Sequence, residues 1–215
     1  MNGRSWMMGR LASLAGLGLA LLGLAACSTI INPTAPKLYT LTPRAVVDSG
    51  APTVAWQLLV ETPSAAAGVD TPRIALSRTP TTLDYFADVS WADRAPNMVQ
   101  GVIVQSFEDS GRILSVGRDT MGLRSDLVLK SELRDFQAEY ATPGATSPDR
   151  VHVRLSAKLV AMPRRTIEAG ENFDAVVPVR GRDFTDVIAA YDVALGQISG
   201  ALVSWTLRNG RVATP

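Results

Sequence analysis

The chain has one cysteine and one histidine among 215 residues, so any nucleophile, metal site or redox centre must be built around very few groups. His152 sits between Val151 and Val153 in an alternating run, which places it on the polar side of a strand. A Ser-His-Asp triad or a zinc site needs further partners at matching spacing, and neither a second His nor a second Cys exists to supply them. Gly196-Gln197-Ile198-Ser199-Gly200 has the wrong spacing for a nucleophile elbow and lies inside a helical pattern. Gly111 to Gly122 holds three glycines without the lysine and hydroxyl of a phosphate-binding loop. The carboxylate pairs Asp183/Asp186 and Glu108/Asp109 suit helix ends, not an acid-base dyad. These residues predict a non-catalytic protein with no cofactor-binding or metal site. The one position with nameable chemistry is Cys27, the last residue of Leu24-Ala25-Ala26-Cys27.

What precedes Cys27 reads as an address. Met1 to Arg10 carries Arg4 and Arg10 and no acid, and residues 11–26 are then apolar or small, a basic region followed by a hydrophobic one. Sixteen helical residues span about 24 Å, short of the ~30 Å hydrocarbon core. No Lys or Arg follows between Ser28 and Pro36, so the segment is expected to be cleaved and not retained as a membrane helix. Leu-Ala-Ala-Cys resembles the bacterial lipobox. That resemblance implies diacylglyceryl transfer to the Cys27 sulfur, cleavage before Cys27 and acylation of the new amine. Each buried CH₂ contributes about 0.8 kcal/mol, and one chain gives only marginal binding. Several chains make the attachment effectively permanent. Ser28, and not Asp, follows the cysteine, which by the enteric sorting rule favours the outer membrane. Boundaries follow: residues 1–26 signal peptide, 27–36 lipidated tether with two prolines, 37–210 the folded domain, 211–215 a tail.

Loss of the leader would move the net charge from +1 to about −1. Neither a basic excess for nucleic acid nor an acidic tail is present. No internal repeat and no second membrane-spanning candidate is read from the sequence. The domain past the tether is long enough for one proper core.

The domain begins with a short strand, 37–41, then a loop, 44–52, and a buried strand, 54–60. Residues 62–71 read as a Pro/Ala/Gly-rich loop. Strands follow at 73–78 and 83–89. Trp91 is expected to lead the first helix, with Asp93 as N-cap and Pro96 in the first turn. Apolar positions from Met98 to Phe107 keep helical spacing to about Asp109, and Gly111 ends the helix. A short strand, 113–116, comes next. Residues 126–140 bury Leu127, Leu129 and Leu133 on one parity and Phe136, Ala138 and Tyr140 on the other, which predicts a bulge near Arg134-Asp135. Residues 150–162 alternate cleanly, the pattern of a half-buried antiparallel strand. Residues 142–148 are the hairpin loop between them, and 166–179 is a third strand, interrupted around Gly170-Glu171. Asp183 or Thr185 caps the last helix, whose apolar side runs from Phe184 to Trp205 in steps of three or four. It has no charged residue between Asp192 and Arg208 and many small ones. That second face is either exposed or covered, by another part of the chain or by another copy in a homo-oligomer. Tyr85, Phe86, Trp91 and Trp205 suit core packing better than a lipid groove. The long strands also leave room for an apolar edge open to a partner strand.

Taken in order, several segments resemble one family. They are the lipobox, Lys37-Leu38-Tyr39-Thr40-Leu41, Pro72-Arg73-Ile74, Trp91, the two long strands, Arg165-Thr166-Ile167 through Phe173, and Ala189 to Trp205. The chain resembles the ABC-type transport auxiliary lipoprotein family, of the PqiC/YmbA type, over nearly all of the mature length. After Pro63 it is Ala/Gly-rich where relatives carry a Leu-Pro-x-x-Leu-x-Arg-Pro-like stretch. The resemblance implies an α+β fold like the amino-terminal domain of TolB: a single domain with a mixed, largely antiparallel sheet and two main helices packed on it. It implies a non-enzymatic auxiliary role beside an ABC permease and ATPase with a periplasmic MCE-domain protein, moving lipids or hydrophobic solutes. The alternatives are an assembly lipoprotein for another envelope machine, of the lipopolysaccharide-translocon or cell-wall-synthase-activator kind, and a lipoprotein hydrolase using His152.

Overall fold

The structure, a computed structural model, describes residues 35–122, 124–142 and 144–211. Cys27, the leader, the tether up to residue 34 and the last four residues of the tail lie outside the described residues. The elements in chain order are β1 (Lys37–Tyr39), β2 (Val54–Val60), β3 (Ser64–Ala65), β4 (Arg73–Ser77), β5 (Asp84–Trp91), α1 (Ala95–Ser110), β6 (Ile113–Arg118), β7 (Leu127–Glu139), β8 (Arg150–Ala161), β9 (Thr166–Pro178) and α2 (Phe184–Asn209). A 3-10 turn, Asp119–Met121, follows β6.

One mixed sheet carries the fold. β7 is its spine: it pairs antiparallel with β8 along its whole length, and on its other edge it pairs parallel with β2, β3 and β4 in turn. β8 pairs antiparallel with β9. β6 adds to β2, β5 to β4 and β1 to β5. The two long ladders, β7–β8 and β8–β9, hold most of the pairing, so the sheet is mixed and largely antiparallel as expected.

The bulge is where the residue pattern puts it. Leu133 faces Leu155 and Asp135 faces Arg154, so Arg134 is the extra residue. Without it, Phe136 and Ala138 would point to the polar face. Fully burying one large apolar side chain contributes about 1.5–3 kcal/mol, which outweighs a locally disrupted ladder. With the shift, Leu127, Leu129, Leu133, Phe136 and Ala138 all reach one core, opposite Val151, Val153, Leu155, Ala157 and Leu159.

Both helices lie on that apolar face. α2 packs on β8 and β9 and touches α1, which lies by β6 and β2. Trp91, Phe136 and Tyr191 form an aromatic cluster at the centre, with ring centroids 4.9–5.6 Å apart. Burial pushes the Tyr191 phenol upward, so it stays neutral. α1 ends on Gly111, which takes the left-handed conformation (φ 60°) that a side chain would resist.

Four expectations need correction. Residues 62–71 are not all loop, because Ser64 and Ala65 pair with Glu132 and Leu133 as β3. Trp91 does not lead α1. It ends β5, opposite Tyr39, with its N–H donated to Pro72 O at 2.7 Å. Asp93 is not the N-cap: Arg94 holds that position, and the Asp93 carboxylate receives the Arg94 N–H and the Asn97 amide instead. β9 is continuous through Gly170-Glu171, which pair with Lys158 and Ala157. Its irregularity falls at Glu168, between the pairs Leu159–Ala169 and Val160–Ile167. A further point concerns the membrane: α2 has 26 residues and is apolar enough to cross one, yet it is mostly buried against the sheet.

Candidate functional site

The uncharged face of α2 is partly covered by the chain itself. Residues 40–50, on the way from β1 to β2, act as a strap beside the helix, extended as far as Asp48 and then turning at Ser49-Gly50. Two extended residues advance about 6.6 Å and four helical residues about 6 Å, so the two elements stay in step. Thr42 meets Asp192, Arg44 meets Gly196, Val46 meets Gly200, and Asp48 meets Ser204 and Arg208. The middle pairs are backbone contacts. A Cβ on Gly196 would lie 2.5 Å from the Arg44 carbonyl oxygen, and one on Gly200 would lie closer still to that of Val46. Only glycine permits this approach. The ends are polar. Thr42 N–H donates to Asp192 Oδ1 at 2.7 Å, and Asp48 N–H donates to Ser204 Oγ at 3.0 Å. Asp48 also pairs with Arg208. The Gly50 N–H and the Arg208 guanidinium hold the Asp48 carboxyl below the usual carboxylate range.

Strap and helix together form the walls of an open groove of about 940 Å³. Its apolar surface comes from Val46, Val193, Ala201 and Trp205, and charge appears only at Arg44, Asp48, Asp192 and Arg208. Val46 is 83% exposed and Val193 49%, which is unusual for side chains that could turn inward. A second depression, across the Val193–Gln197 ridge, reaches Val176 and Pro178 of β9. Val176 is 51% exposed. Among the described residues β9 pairs on one side only, and that sheet edge adjoins this surface. Three exposed valines thus share one largely uncharged area, a feature that marks contact surfaces more often than chance.

Elsewhere the candidate chemistry resolves into structure. His152 lies on the open face of the sheet, with Nδ1 3.1 Å from Glu139 Oε1 and Nε2 2.9 Å from Asp174 Oδ1. Arg150 pairs with Glu139 at 2.7 Å and Arg154 with Asp135 at 2.5 Å. Burial pushes the Glu139 carboxyl up, but bonds from Arg150, His152 and Gln137 outweigh it and hold the group below its ordinary value. The cluster ties β7, β8 and β9 together. The hydroxyl residues Ser77, Thr79 and Tyr140 line the same pocket as His152, but the His152 ring nitrogens meet Glu139 and Asp174, and Ser77 Oγ donates to Thr79 O at 2.7 Å. Among the described residues no group of three potential ligands could hold a metal ion. Ser199 is 1% exposed and its hydroxyl donates to Leu195 O at 2.7 Å, so it is helix packing. Asp186 accepts the Asp183 N–H at 2.9 Å at the start of α2. Of the aromatic residues weighed for a groove, Trp91 is core, Phe86 meets Phe184 edge to face, and Tyr85 lies under Arg73. Trp205 alone lines the groove, edge-on to Phe173.

The sequence pattern exposed the uncharged helix face but not the strap. The available signal was a ladder of five residues, Asp192, Gly196, Gly200, Ser204 and Arg208, each four apart, against the two-residue alternation Thr42, Arg44, Val46, Asp48.

Comparison with known proteins bears on this fold and site. The family described as the ABC-type transport auxiliary lipoprotein component matches residues 39–203. An uncharacterized protein of Bradyrhizobium diazoefficiens is 30% identical over 162 residues, covering 73% of this chain and 41% of that protein. The chain thus spans about two fifths of that relative's length. Among solved structures, protein XCC0632 of Xanthomonas campestris, of family DUF330, is similar with a TM-score of 0.74 and 37% identity, over 81% of this chain and 96% of that one. An uncharacterized protein with a TM-score of 0.62 and 11% identity, over 79% of this chain and 97% of that one, shares the fold.

Proposed function

We propose that this chain, which belongs to the ABC-type transport auxiliary lipoprotein family, is a periplasmic lipoprotein held at the outer membrane through Cys27. In this reading it serves an ABC permease and ATPase together with an MCE-domain protein, in the movement of lipids or hydrophobic solutes across the envelope. The observation that carries the reading is the family match over residues 39–203, which runs from the last residue of β1 through most of α2. The domain contributes position and contact, not catalysis: the polar clusters on its surface are satisfied ion pairs, and energy comes from the partner ATPase.

The groove beside α2 is the contact surface assigned to the periplasmic MCE-domain partner. Its uncharged floor between Asp192 and Arg208 suits an apolar segment of that protein. The same face would carry the contact if copies of the chain associate. Val193→Asp puts a charge on the floor at a side chain that is about half exposed. It is expected to leave the unfolding free energy within about 0.5 kcal/mol of wild type, as surface changes do. A photo-crosslinker at Val193 is expected to capture an MCE-domain protein in cells, and Val193→Asp to weaken copurification of that protein. Full copurification with the Asp variant would count against this surface. The alternative envelope-machine reading predicts capture of a translocon or cell-wall-synthase component instead.

A further inference from the structure

The strap, residues 40–50, differs from every strand of the sheet. It is extended, but between residues 40 and 48 its backbone N–H groups reach the helix at two points only, Thr42 to Asp192 and Asp48 to Ser204. Leu41, Pro43, Ala45 and Val47 are half-buried, and Thr42, Arg44, Val46 and Asp48 are exposed. Segments with few backbone bonds and partial burial open locally at a fraction of the global unfolding free energy. The strap is such a segment, and it is one wall of the groove.

One of its two fastenings holds a charge in an awkward place. Asp192 is the only charged residue of α2 between Asp186 and Arg208. Its carboxylate is half-buried beneath the strap and receives the Thr42 N–H at 2.7 Å and, at the limit of a hydrogen bond, the Thr42 hydroxyl at 3.4 Å. The other charged groups lining the groove are Arg44 and Asp48 from the strap and Arg208 from the far end of the helix, and Arg208 is taken by Asp48. On the β9 side of the helix, Val176, Val177 and Pro178 carry no charge, and Arg180 and Asp186 lie near the helix start. Among the described residues no cation pairs with Asp192. Closing the strap therefore strips water from a carboxylate and returns one good hydrogen bond. A neutral carboxyl pays no such desolvation, and its carbonyl oxygen still accepts the Thr42 N–H.

We propose that the strap is a switchable wall of the groove, shut most firmly when the Asp192 carboxyl is neutral and loosened when it ionises. Burial, the largest influence, pushes this carboxyl above the ordinary aspartate range, and the Thr42 bonds pull it back only in part. The sign follows from linkage. A carboxyl that holds its proton more tightly in the closed than in the open state takes up a proton on closure. The contribution of this proton to closure is full below the open-state value and is lost as pH rises through the closed-state one. Where the Asp192 carboxyl is ionised the strap is in its looser condition, and the Gly196–Gly200 face can open to widen the groove.

Hydrogen-deuterium exchange of the full-length lipoprotein in detergent, followed in a peptide covering residues 40–50, tests this. At neutral pH, Asp192→Asn keeps the acceptor oxygen and removes the charge. It is expected to slow strap exchange several-fold while β7 and β8 exchange as in wild type. Equal or faster strap exchange in that variant would overturn the proposal. Wild-type protein gives a second readout that needs no substitution. Strap exchange, corrected for the intrinsic chemical rate, is expected to slow as pH falls from neutral into the mildly acidic range. A corrected rate that does not change with pH would equally overturn it.

Discussion

Gly200→Val is expected to destabilise the domain by about 3 kcal/mol, the upper end of what overpacking costs. Gly200 is a residue of a helix interior, where glycine is ordinarily about 1 kcal/mol worse than alanine. Helix propensity alone therefore predicts that Gly200→Ala stabilises. The strap reverses the sign. A Cβ at this position runs into the Val46 carbonyl oxygen, which is backbone and cannot rotate away. The strap must lift, and with it the partial burial of Leu41 and Val47 against the core is lost. Gly200→Ala is expected to destabilise by about 1–3 kcal/mol, and Val by more because its branches meet the same wall. Urea unfolding of both variants, against an Ala201 substitution on the exposed side of the helix as control, checks the sign. A Gly200→Ala protein at least as stable as wild type would mean that the strap does not sit where the structure places it.

Cys27→Ser is expected to abolish membrane attachment and leave folding intact. The domain makes its core from β1 onward, and nothing in that core is a thiol, since the chain has one cysteine. A serine oxygen does not take the diacylglyceryl group in place of sulfur. The uncut leader would be the remaining hydrophobic segment, with about 24 Å of helix against a ~30 Å core. Three acyl chains at about 0.8 kcal/mol per buried CH₂ place the acylated protein wholly in the membrane fraction. Fractionation of cells grown with labelled fatty acid is expected to show label and sedimentation with membranes for wild type and neither for Cys27→Ser. An acylated, membrane-bound serine variant would refute the assignment.

Local periodicity carried the reading of the sequence far, and distance along the chain limited it. The bulge in β7 was legible because Leu133 and Phe136 are three apart in a two-residue pattern, a conflict that only an extra residue resolves. The apolar side of α2 was legible for the same local reason. The strap was not. Thr42 and Asp192 are 150 residues apart, and nothing in residues 40–50 says which surface they lie on. The uncharged helix face was legible too, and cover by another part of the chain is one of the readings it allows. The structure supplies that cover, but only for the Gly196–Gly200 side. Ala189, Val193, Gln197 and Ala201 stay exposed. The parallel pairings of β7 with β2 and β4 were also beyond reach, because strand order depends on crossovers that leave no periodic trace. Trp91 and Asp93 misled for a physical reason: an aromatic residue followed by an acid looks like a helix entrance, and here the strand ends on Trp91 and Asp93 lies in the bend before the helix begins at Ala95.

The central claim is that this lipoprotein is the anchored auxiliary of an ABC transport system with an MCE-domain partner. Affinity capture of the native, acylated protein from gently solubilised membranes tests it most directly. The expected result is recovery of an MCE-domain protein together with the ABC permease and ATPase, reduced when Val193 is changed to Asp and lost from the membrane fraction with Cys27→Ser. Recovery of a different envelope assembly, or of no MCE-domain protein under conditions that keep such complexes intact, would contradict it.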